Sequence, residues 1–151
     1  MEEKEAQITV VVVIHNAESY MERCMNSLID QDSQQFRVIF VDDGSSDRSR
    51  EICRSAMDRM KGPVHLLELP HSGVANARNC GLEQVETPYV LFLDSDDWLD
   101  RNTISSMMEM VEHCQPEIAV FGFYYELANG AQHLLRSHVR RELLTRESIS
   151  R

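Results

Sequence analysis

Aspartate residues form two dense groups in this chain, and each group directly follows a short apolar run. The first follows Val-Ile-Phe-Val at 38–41, and the second follows Tyr-Val-Leu-Phe-Leu at 89–93. The six residues are Asp42, Asp43, Asp47, Asp94, Asp96 and Asp97. Carboxylates held close together repel one another unless a cation or hydrogen-bond donors compensate their charge. Mg²⁺ and Mn²⁺ prefer hard oxygen ligands of this kind, so the pattern points to a divalent cation.

The sequence Asp94-Ser95-Asp96 has the spacing of a two-carboxylate site. In an extended segment residues i and i+2 point the same way, so both carboxylates can address one ion. Mg²⁺ uses only one or two protein carboxylates and completes its shell with water and substrate phosphates. We therefore expect a metal-bridged nucleotide diphosphate. Asp42 and Asp47 flank Gly44 and are predicted to make local turn and helix-cap hydrogen bonds instead.

Strand and helix patterns alternate four times along the chain. Near-continuous apolar runs predict strands at 8–14, 37–41, 64–69 and 89–93, and apolar residues at helical spacing predict helices near 21–29, 52–60, 74–85 and 104–111. This alternation is typical of an α/β fold with a mostly parallel sheet flanked by helices. Ligands of such sheets bind beyond the carboxyl ends of the strands, where both aspartate groups lie.

The pattern changes after the fourth helix. Residues 117–126 are predicted to form a fifth strand, and Asn129-Gly130 is a strong turn signal into 132–139, so a C-terminal β-hairpin is expected. No linker rich in Pro, Gly or Ser interrupts the chain.

The formal net charge of −10 opposes nucleic-acid binding, because such binding depends on cations that displace counterions from phosphates. The last 21 residues are net positive instead, because they contain five arginines and only two glutamates. The N-terminus resembles no secretory signal, and no apolar run approaches the roughly 20 residues of a spanning helix. Four scattered cysteines without a C-x-x-C pair predict free thiols in a reducing compartment. We expect a soluble, cytoplasmic chain.

Four segments of the chain resemble the successive signatures of family 2 glycosyltransferases. They are Val-Val-Ile-His-Asn-Ala-Glu-Ser-Tyr (12–20), Val-Asp-Asp-Gly-Ser-Ser-Asp (41–47), Ser-Gly-Val-Ala-Asn-Ala-Arg-Asn-Cys-Gly-Leu (72–82) and Tyr-Val-Leu-Phe-Leu-Asp-Ser-Asp-Asp-Trp-Leu (89–99). The resemblance implies the GT-A fold, a Rossmann-like α/β architecture. It also implies an inverting transfer of a sugar from a nucleotide-sugar, with UDP as the expected nucleotide and Mn²⁺ or Mg²⁺ as the cofactor.

The resemblance also implies roles for single residues. Asp43 matches the aspartate that accepts a hydrogen bond from the base, and Arg78 matches an arginine near the donor. Asp94 matches the aspartate near the ribose or donor sugar, Asp96 the metal ligand, and Asp97 a neighbour that orients metal-bound water.

The first signature departs from the family pattern, which usually has Pro and Tyr where this chain has Val13 and His15. His15 can still stack beside the base, or it can be a plain loop histidine. We predict that His15 and Asn16 belong to the nucleotide-sugar site with Asp43, Arg78 and Asp94. His71 and Asn79 have no ligand role by resemblance and are interpreted as loop and cap residues.

An inverting transfer needs a general base, which in the resembling family lies in the acceptor-binding half. Residues 1–130 are therefore expected to form the nucleotide-sugar-binding GT-A domain, and residues 131–151 to begin an acceptor region whose base lies beyond Arg151. The expected acceptor is a glycan or a lipid-linked molecule. Arg136, Arg140, Arg141 and Arg146 have a second interpretation, a peripheral contact with anionic lipid at the inner membrane face.

Two other classes of protein share parts of this pattern. A sugar-phosphate nucleotidyltransferase has a related architecture but requires a glycine-rich N-terminal signature, and no glycine precedes Gly44. A non-catalytic, receiver-like module with an acidic pocket requires a lysine late in the sheet, whereas the only lysines are Lys4 and Lys61.

Overall fold

A computed structural model describes residues 5–119, 122–127 and 130–135 of the chain. The chain divides into two compact units, Met1–Glu109 and Met110–Arg151. In chain order the elements of the first unit are β1 (Ile8–Ile14), α1 (Met21–Ile29), β2 (Arg37–Asp43), α2 (Ser49–Met57), β3 (Val64–Leu69), α3 (Val74–Glu83), β4 (Tyr89–Asp94) and the start of α4 (Thr103–Cys114). In the second unit, β5 (Phe123–Glu126) and β6 (Gln132–Leu135) follow the end of α4.

The four strands of the first unit form a parallel sheet in the order β3-β2-β1-β4. β1 is the central strand because it pairs with both β2 and β4, and all seven of its residues are buried. Val13 lies level with Val41 on one side and with Asp94 on the other. The parallel α/β class predicted from the alternating pattern is confirmed.

Side chains that alternate along the strands form two separate cores, one on each face of the sheet. The larger core contains Val10, Val12 and Phe40 of the sheet together with residues of α1, α2 and α4. Met21 of α1 is one of these. The smaller core contains Val11, Val13, Ile39 and Val41 with Ala77 of α3. A continuous apolar run is needed in β1 because both of its faces are covered.

Several predicted boundaries differ from the structure. β2 and β4 are longer than predicted and end on the aspartates themselves, at Asp43 and Asp94. α2 begins at Ser49 rather than at residue 52, and α3 ends at Glu83. The hairpin is confirmed, with β5 antiparallel to β6. Its first strand is shorter than predicted because residues 117–119 are not in a strand, while 136–139 lie outside the described residues.

The cysteines agree with the prediction of free thiols. Cys24 and Cys53 are buried on helix faces, Cys80 is half-buried, Cys114 is exposed, and all four are free. Within the described residues, no helix has both the length and the apolar character needed to cross a membrane.

Gly81 allows α3 to approach the sheet closely. A Cβ atom at this position would lie 2.6 Å from Cγ1 of Val11 and 3.0 Å from Cγ2 of Val41. Glycine in a helix interior weakens the helix by about 1 kcal/mol relative to alanine. The close contact explains why this position carries glycine all the same.

Gly81→Ala is expected to lower the free energy of unfolding by about 1–2 kcal/mol, because overpacking outweighs the gain in helix propensity. Urea unfolding followed by circular dichroism measures the change. Asn79→Ala, at an exposed position of the same helix, is the matched control and should not destabilise the fold. A Gly81→Ala variant more stable than the wild type would contradict the packing argument.

Candidate nucleotide-sugar site

The last two residues of β2 point to opposite faces of the sheet, although both are aspartates. The side chain of Asp42 points to the same face of the sheet as those of Val38 and Phe40, which belong to the larger core. Asp43 continues the side of Ile39 and Val41, which face α3. Side chains of a strand alternate between faces, so only Asp43 can join a site on the α3 face.

Asp42 is fully buried and is neutralised within the fold. Its carboxylate forms an ion pair with Arg50 of α2 and accepts a hydrogen bond from the Ser45 amide at 3.2 Å. Asp47 accepts hydrogen bonds from the amides of Glu18 and Ser49, at 3.1 and 3.0 Å. The predicted local turn and cap roles of Asp42 and Asp47 are thus confirmed. The ion pair with Arg50 was not foreseen, because nothing in the local sequence singles out that arginine.

Asp43 is also buried, and its carboxylate is surrounded by donors from the loop between β3 and α3. Oδ1 accepts hydrogen bonds from the Ser72 amide at 2.7 Å and the Ser72 hydroxyl at 3.2 Å, and Oδ2 accepts one from the Gly73 amide at 2.9 Å. Burial by itself raises the pKa of Asp43, but these hydrogen bonds outweigh it and hold the pKa below the ordinary 3.8. Asp43 is therefore ionised at neutral pH.

Two histidines lie over Asp43 and stack on each other. The ring centroids of His15 and His71 are 4.2 Å apart, with 23° between the ring planes. Nδ1 of His15 lies 2.7 Å from the backbone oxygen of Asp43, and Nδ1 of His71 lies 2.9 Å from Oδ2. Gly44 permits this approach: its φ is +68°, and a Cβ there would lie 2.5 Å from the His71 backbone nitrogen.

His71 lies in a loop as predicted, but its direct contact with Asp43 was missed. A signal was present, because His71 immediately precedes the Ser-Gly pair that begins the third signature. Asn79 is not a cap residue, since it lies inside α3 on the exposed surface.

Asn16 connects the loop after β1 to the loop after β2. It adopts a left-handed backbone conformation with a φ of 48°. Its amide donates to Oγ of Ser45 at 3.0 Å, and its side-chain oxygen accepts from the Ser46 amide at 2.8 Å. Asn16 thus lies beside the predicted site and positions the loops that carry His15 and Asp43.

Arg78 of α3 reaches the end of β4. Its Nη2 donates to Oδ1 of Asp94 at 2.6 Å, and both side chains are partly exposed. The Nε atom of Arg78 is buried and has no hydrogen-bond partner among the described residues. An unpaired buried donor of a guanidinium is costly in free energy.

The segment after Asp94 is a turn, which corrects the extended geometry assumed for Asp94 and Asp96. The Asp97 amide donates to the Asp94 backbone oxygen at 3.0 Å, and Asp96 and Asp97 are exposed. Burial, followed by the charges of Asp96 and Asp94, raises the pKa of Asp97 above its ordinary value. Burial together with the same three carboxylates raises the pKa of the Cys24 thiol to about 12. The carboxylate charges of this turn thus add to the effect of burial at both groups.

The expected convergence of six carboxylates is therefore only partly correct. Asp43 and Asp94 share the α3 face, Asp96 and Asp97 follow in the exposed turn, and Asp42 and Asp47 have partners of their own. Within the described residues, one group of three potential metal ligands lies within 4.8 Å, and it consists of His15, Asp43 and His71. The acidic turn does not form such a group by itself.

The sheet order, the two-sided core and a ligand edge on the carboxyl ends of β1, β2 and β4 define a Rossmann-like α/β protein of the GT-A type. The model of the family described as Glycosyl transferase family 2 matches residues 9–150, and the chain belongs to that family.

The chain is similar to much longer proteins. It is 35% identical over 118 residues to glycosyltransferase GlyA of Streptococcus pneumoniae, an alignment that covers 78% of this chain and 17% of GlyA. It is 38% identical over 114 residues to a teichoic acid poly(glycerol phosphate) polymerase of Staphylococcus epidermidis, covering 75% of this chain and 16% of that protein.

A solved structure supports the same assignment. The crystal structure of Staphylococcus aureus TarS 1–349 in complex with UDP-GlcNAc matches with a TM-score of 0.65 and 32% identity, over 72% of this chain and 32% of that one. The chain thus spans less than half the length of each of these proteins. Family membership favours a glycosyltransferase over the nucleotidyltransferase and receiver-like alternatives.

Asp43→Asn is expected to lower the free energy of unfolding by about 1–3 kcal/mol at neutral pH, because an amide nitrogen would face one of the donors that now surround the carboxylate. The native pKa is lowered, so the stabilisation is present above the ordinary pKa of 3.8 and is lost as the pH falls below it. Urea unfolding of both proteins at pH 7 and pH 3 measures this. Equal stability of both proteins at pH 7 would refute it.

Proposed function

We propose that this chain is the donor-binding part of a glycosyltransferase that uses a UDP-sugar. The observation that carries the proposal is the convergence of His15, Asp43, Arg78 and Asp94 on the α3 face of one sheet edge. The UDP-GlcNAc complex of TarS, a similar structure, supports the choice of nucleotide. Residues 1–130 are proposed as the nucleotide-sugar-binding domain and residues 131–151 as the start of an acceptor region.

The dimensions of the edge fit a nucleoside diphosphate. Asp43 ends β2 and Asp94 ends β4, with β1 between them. Neighbouring strands are about 4.8 Å apart, so the backbones of Asp43 and Asp94 are about 10 Å apart across the sheet. Asp94 is level with Val41, so Asp43 also lies two residues, about 7 Å, further along the strand direction. A base at Asp43 would therefore leave the ribose over the end of β1 and the diphosphate near Arg78 and Asp94.

The chemistry at Asp43 favours uracil over cytosine. An ionised carboxylate can only accept hydrogen bonds, and uracil offers an imide N–H where cytosine offers a ring nitrogen that is itself an acceptor. His15 is proposed to stack on the base. Asn16 would act indirectly, by holding the loops that present His15 and Asp43.

The guanidinium of Arg78 is proposed to face the diphosphate. Asp94 accepts a hydrogen bond from one of its terminal nitrogens, which fixes the orientation of the whole planar group. The buried Nε has no partner among the described residues. A planar, permanently charged group held in this way is well suited to a phosphate.

The turn that follows Asp94 fits Mn²⁺ or Mg²⁺. Its carboxylates are hard ligands, and after burial the charges of Asp96 and Asp94 contribute to the raised pKa of Asp97. The carboxylates do not form a three-ligand cluster alone, which suits an ion that takes further ligands from a diphosphate. Asp96 is proposed as the metal ligand and Asp97 as its neighbour. The ion, when bound, would offset charge on the departing diphosphate.

The base that activates the acceptor is proposed to come from the acceptor region. At the described edge Asp42 is held by Arg50, Asp43 by Ser72 and Gly73, and Asp94 by Arg78. These engaged carboxylates are poor candidates for a base. The transfer is proposed to invert the sugar, as the family signatures imply.

The acceptor is proposed to be a glycan or a lipid-linked polymer. Relatives named as teichoic acid poly(glycerol phosphate) polymerase and poly(ribitol-phosphate) β-N-acetylglucosaminyltransferase support a polyol-phosphate chain. We propose that the reaction takes place in the cytoplasm, at the inner face of the membrane. The arginines proposed to contact anionic lipid, at 136, 140, 141 and 146, lie outside the described residues.

Isothermal titration with UDP is expected to show binding that Mn²⁺ strengthens at least tenfold, and much weaker binding of CDP. Asp96→Asn should remove the Mn²⁺-dependent part, because the amide lacks the charge that holds the ion. Asp100→Asn, an exposed neighbour without a proposed role, is the matched control and should keep the Mn²⁺ effect. An undiminished Mn²⁺ effect in Asp96→Asn would remove the metal assignment, and no UDP binding with Mn²⁺ would refute the donor site.

A further inference from the structure

The carboxylate of Asp43 has no acceptor position left for a ligand. An ionised carboxylate offers about four lone-pair positions. The Ser72 amide and hydroxyl share Oδ1, and the Gly73 amide and the His71 imidazole share Oδ2. An incoming N–H donor must therefore displace one of these four groups.

The tautomers of both histidines follow from their partners. A carboxylate oxygen and a backbone carbonyl oxygen can only accept, so Nδ1 of His71 must donate to Oδ2, and Nδ1 of His15 must donate to the Asp43 carbonyl. Both rings thus present an N–H group to Asp43.

His71 already makes both contacts that the proposed function assigns to a nucleobase. Its flat ring stacks on His15 at a centroid distance of 4.2 Å, and its ring N–H donates to Asp43 at 2.9 Å. Stacking on an aromatic ring and an N–H bond to the carboxylate are also what uracil would offer. The imidazole thus stands where a single-ring base would be recognised.

We infer that His71 is an internal competitor for the nucleobase subsite, and that its imidazole leaves Asp43 when a pyrimidine base binds. The inference rests on the proposed function and adds a residue that sets affinity and base size. Of the four donors, His71 is the one best able to leave. Its side chain is 60% exposed, whereas two of the others are backbone amides that must stay to hold the loop. The fourth, the Ser72 hydroxyl, belongs to the same residue as one of these amides and also accepts a hydrogen bond from Nδ2 of Asn76 at 2.8 Å.

The loop around His71 has room for the exchange. Gly73, two residues on, has a φ of +94°, and a Cβ built there would meet no atom within 4 Å. When the imidazole leaves, the Ser72 and Gly73 amides still hold the Asp43 carboxylate in place. The base then takes over both contacts of the imidazole: its ring stacks on His15, and its N–H donates to the Asp43 carboxylate. A purine would demand more space than the imidazole vacates.

His71→Ala is therefore expected to bind UDP, in the presence of Mn²⁺, roughly threefold to tenfold more tightly than the wild type. Apparent affinity is proportional to the fraction of protein that is open to the ligand, and this variant is always open. His71→Phe keeps a ring but has no N–H, so its affinity for UDP should lie between that of the wild type and that of His71→Ala. His65→Ala removes an exposed histidine in β3 and serves as the matched control with unchanged affinity. Weaker or equal UDP binding by His71→Ala would overturn the inference.

Imidazole nitrogen resonances follow the exchange independently. In protein labelled with ¹⁵N-histidine, saturation with UDP should move the His71 signals from a hydrogen-bonded to a solvent-exposed pattern, while His65 stays unchanged. If the wild type binds UDP and the His71 signals do not move, the inference fails and the donor site stands. If neither the wild type nor His71→Ala binds UDP, the proposed function fails, and the inference fails with it.

Discussion

The burial of the Asp43 carboxylate at the end of β2 is the constraint that organises the whole ligand edge. A buried charge is tolerated only where donors surround it, and these come from the loop after β3. That loop must therefore bend over the end of β2. Gly44 gives it room to pass, and Gly73 begins α3 in a conformation that few residues adopt. Through α3, the same constraint sets where Arg78 can reach.

Three carboxylates along this edge each have their own partners within the fold. Arg50 neutralises Asp42 on one face, amides and an imidazole neutralise Asp43 on the other, and Arg78 pairs with Asp94. Asp96 and Asp97 differ, since no ion pair is seen for either within the described residues. After burial, the charges of Asp97, Asp96 and Asp94 contribute to the raised pKa of the Cys24 thiol. Among the described residues of this edge, the carboxylates without an ion-pair partner thus lie in the turn and not at the end of β2.

The histidine pair sets this chain apart from the usual pattern of the first signature. His15 stands where the family usually has Tyr, and it stacks on a second imidazole instead of presenting a free ring. Both rings direct a nitrogen at Asp43, so its hydrogen-bonding capacity is met from within the chain. A ligand that needs a hydrogen bond to the Asp43 carboxylate would therefore have to displace one of these groups.

Much of the fold could be predicted because hydrophobic burial imposes a period on the chain. A strand covered on both faces must be continuously apolar, and a surface helix must repeat its apolar residues every three or four positions. These rules found β1 to β4 and α1 to α4, with errors mainly at their ends. They also predicted that Asp43, Arg78 and Asp94 lie at one edge of the sheet, as the structure has them, because the order of strands and helices determines which loops follow carboxyl ends.

The partners of those residues could not be predicted in the same way. Asp42 and Asp43 are neighbours of one type, yet only the alternation of side chains within a packed strand sends one to Arg50 and the other to Ser72 and Gly73. His71 and Asp43 are 28 residues apart, and the turn after Asp94 depends on how the chain leaves the sheet. The sequence by itself determined the class of fold, the family and the edge at which the candidate site residues lie. The tertiary structure decided which charges are already neutralised, because such contacts join distant segments and depend on packing that no local pattern records.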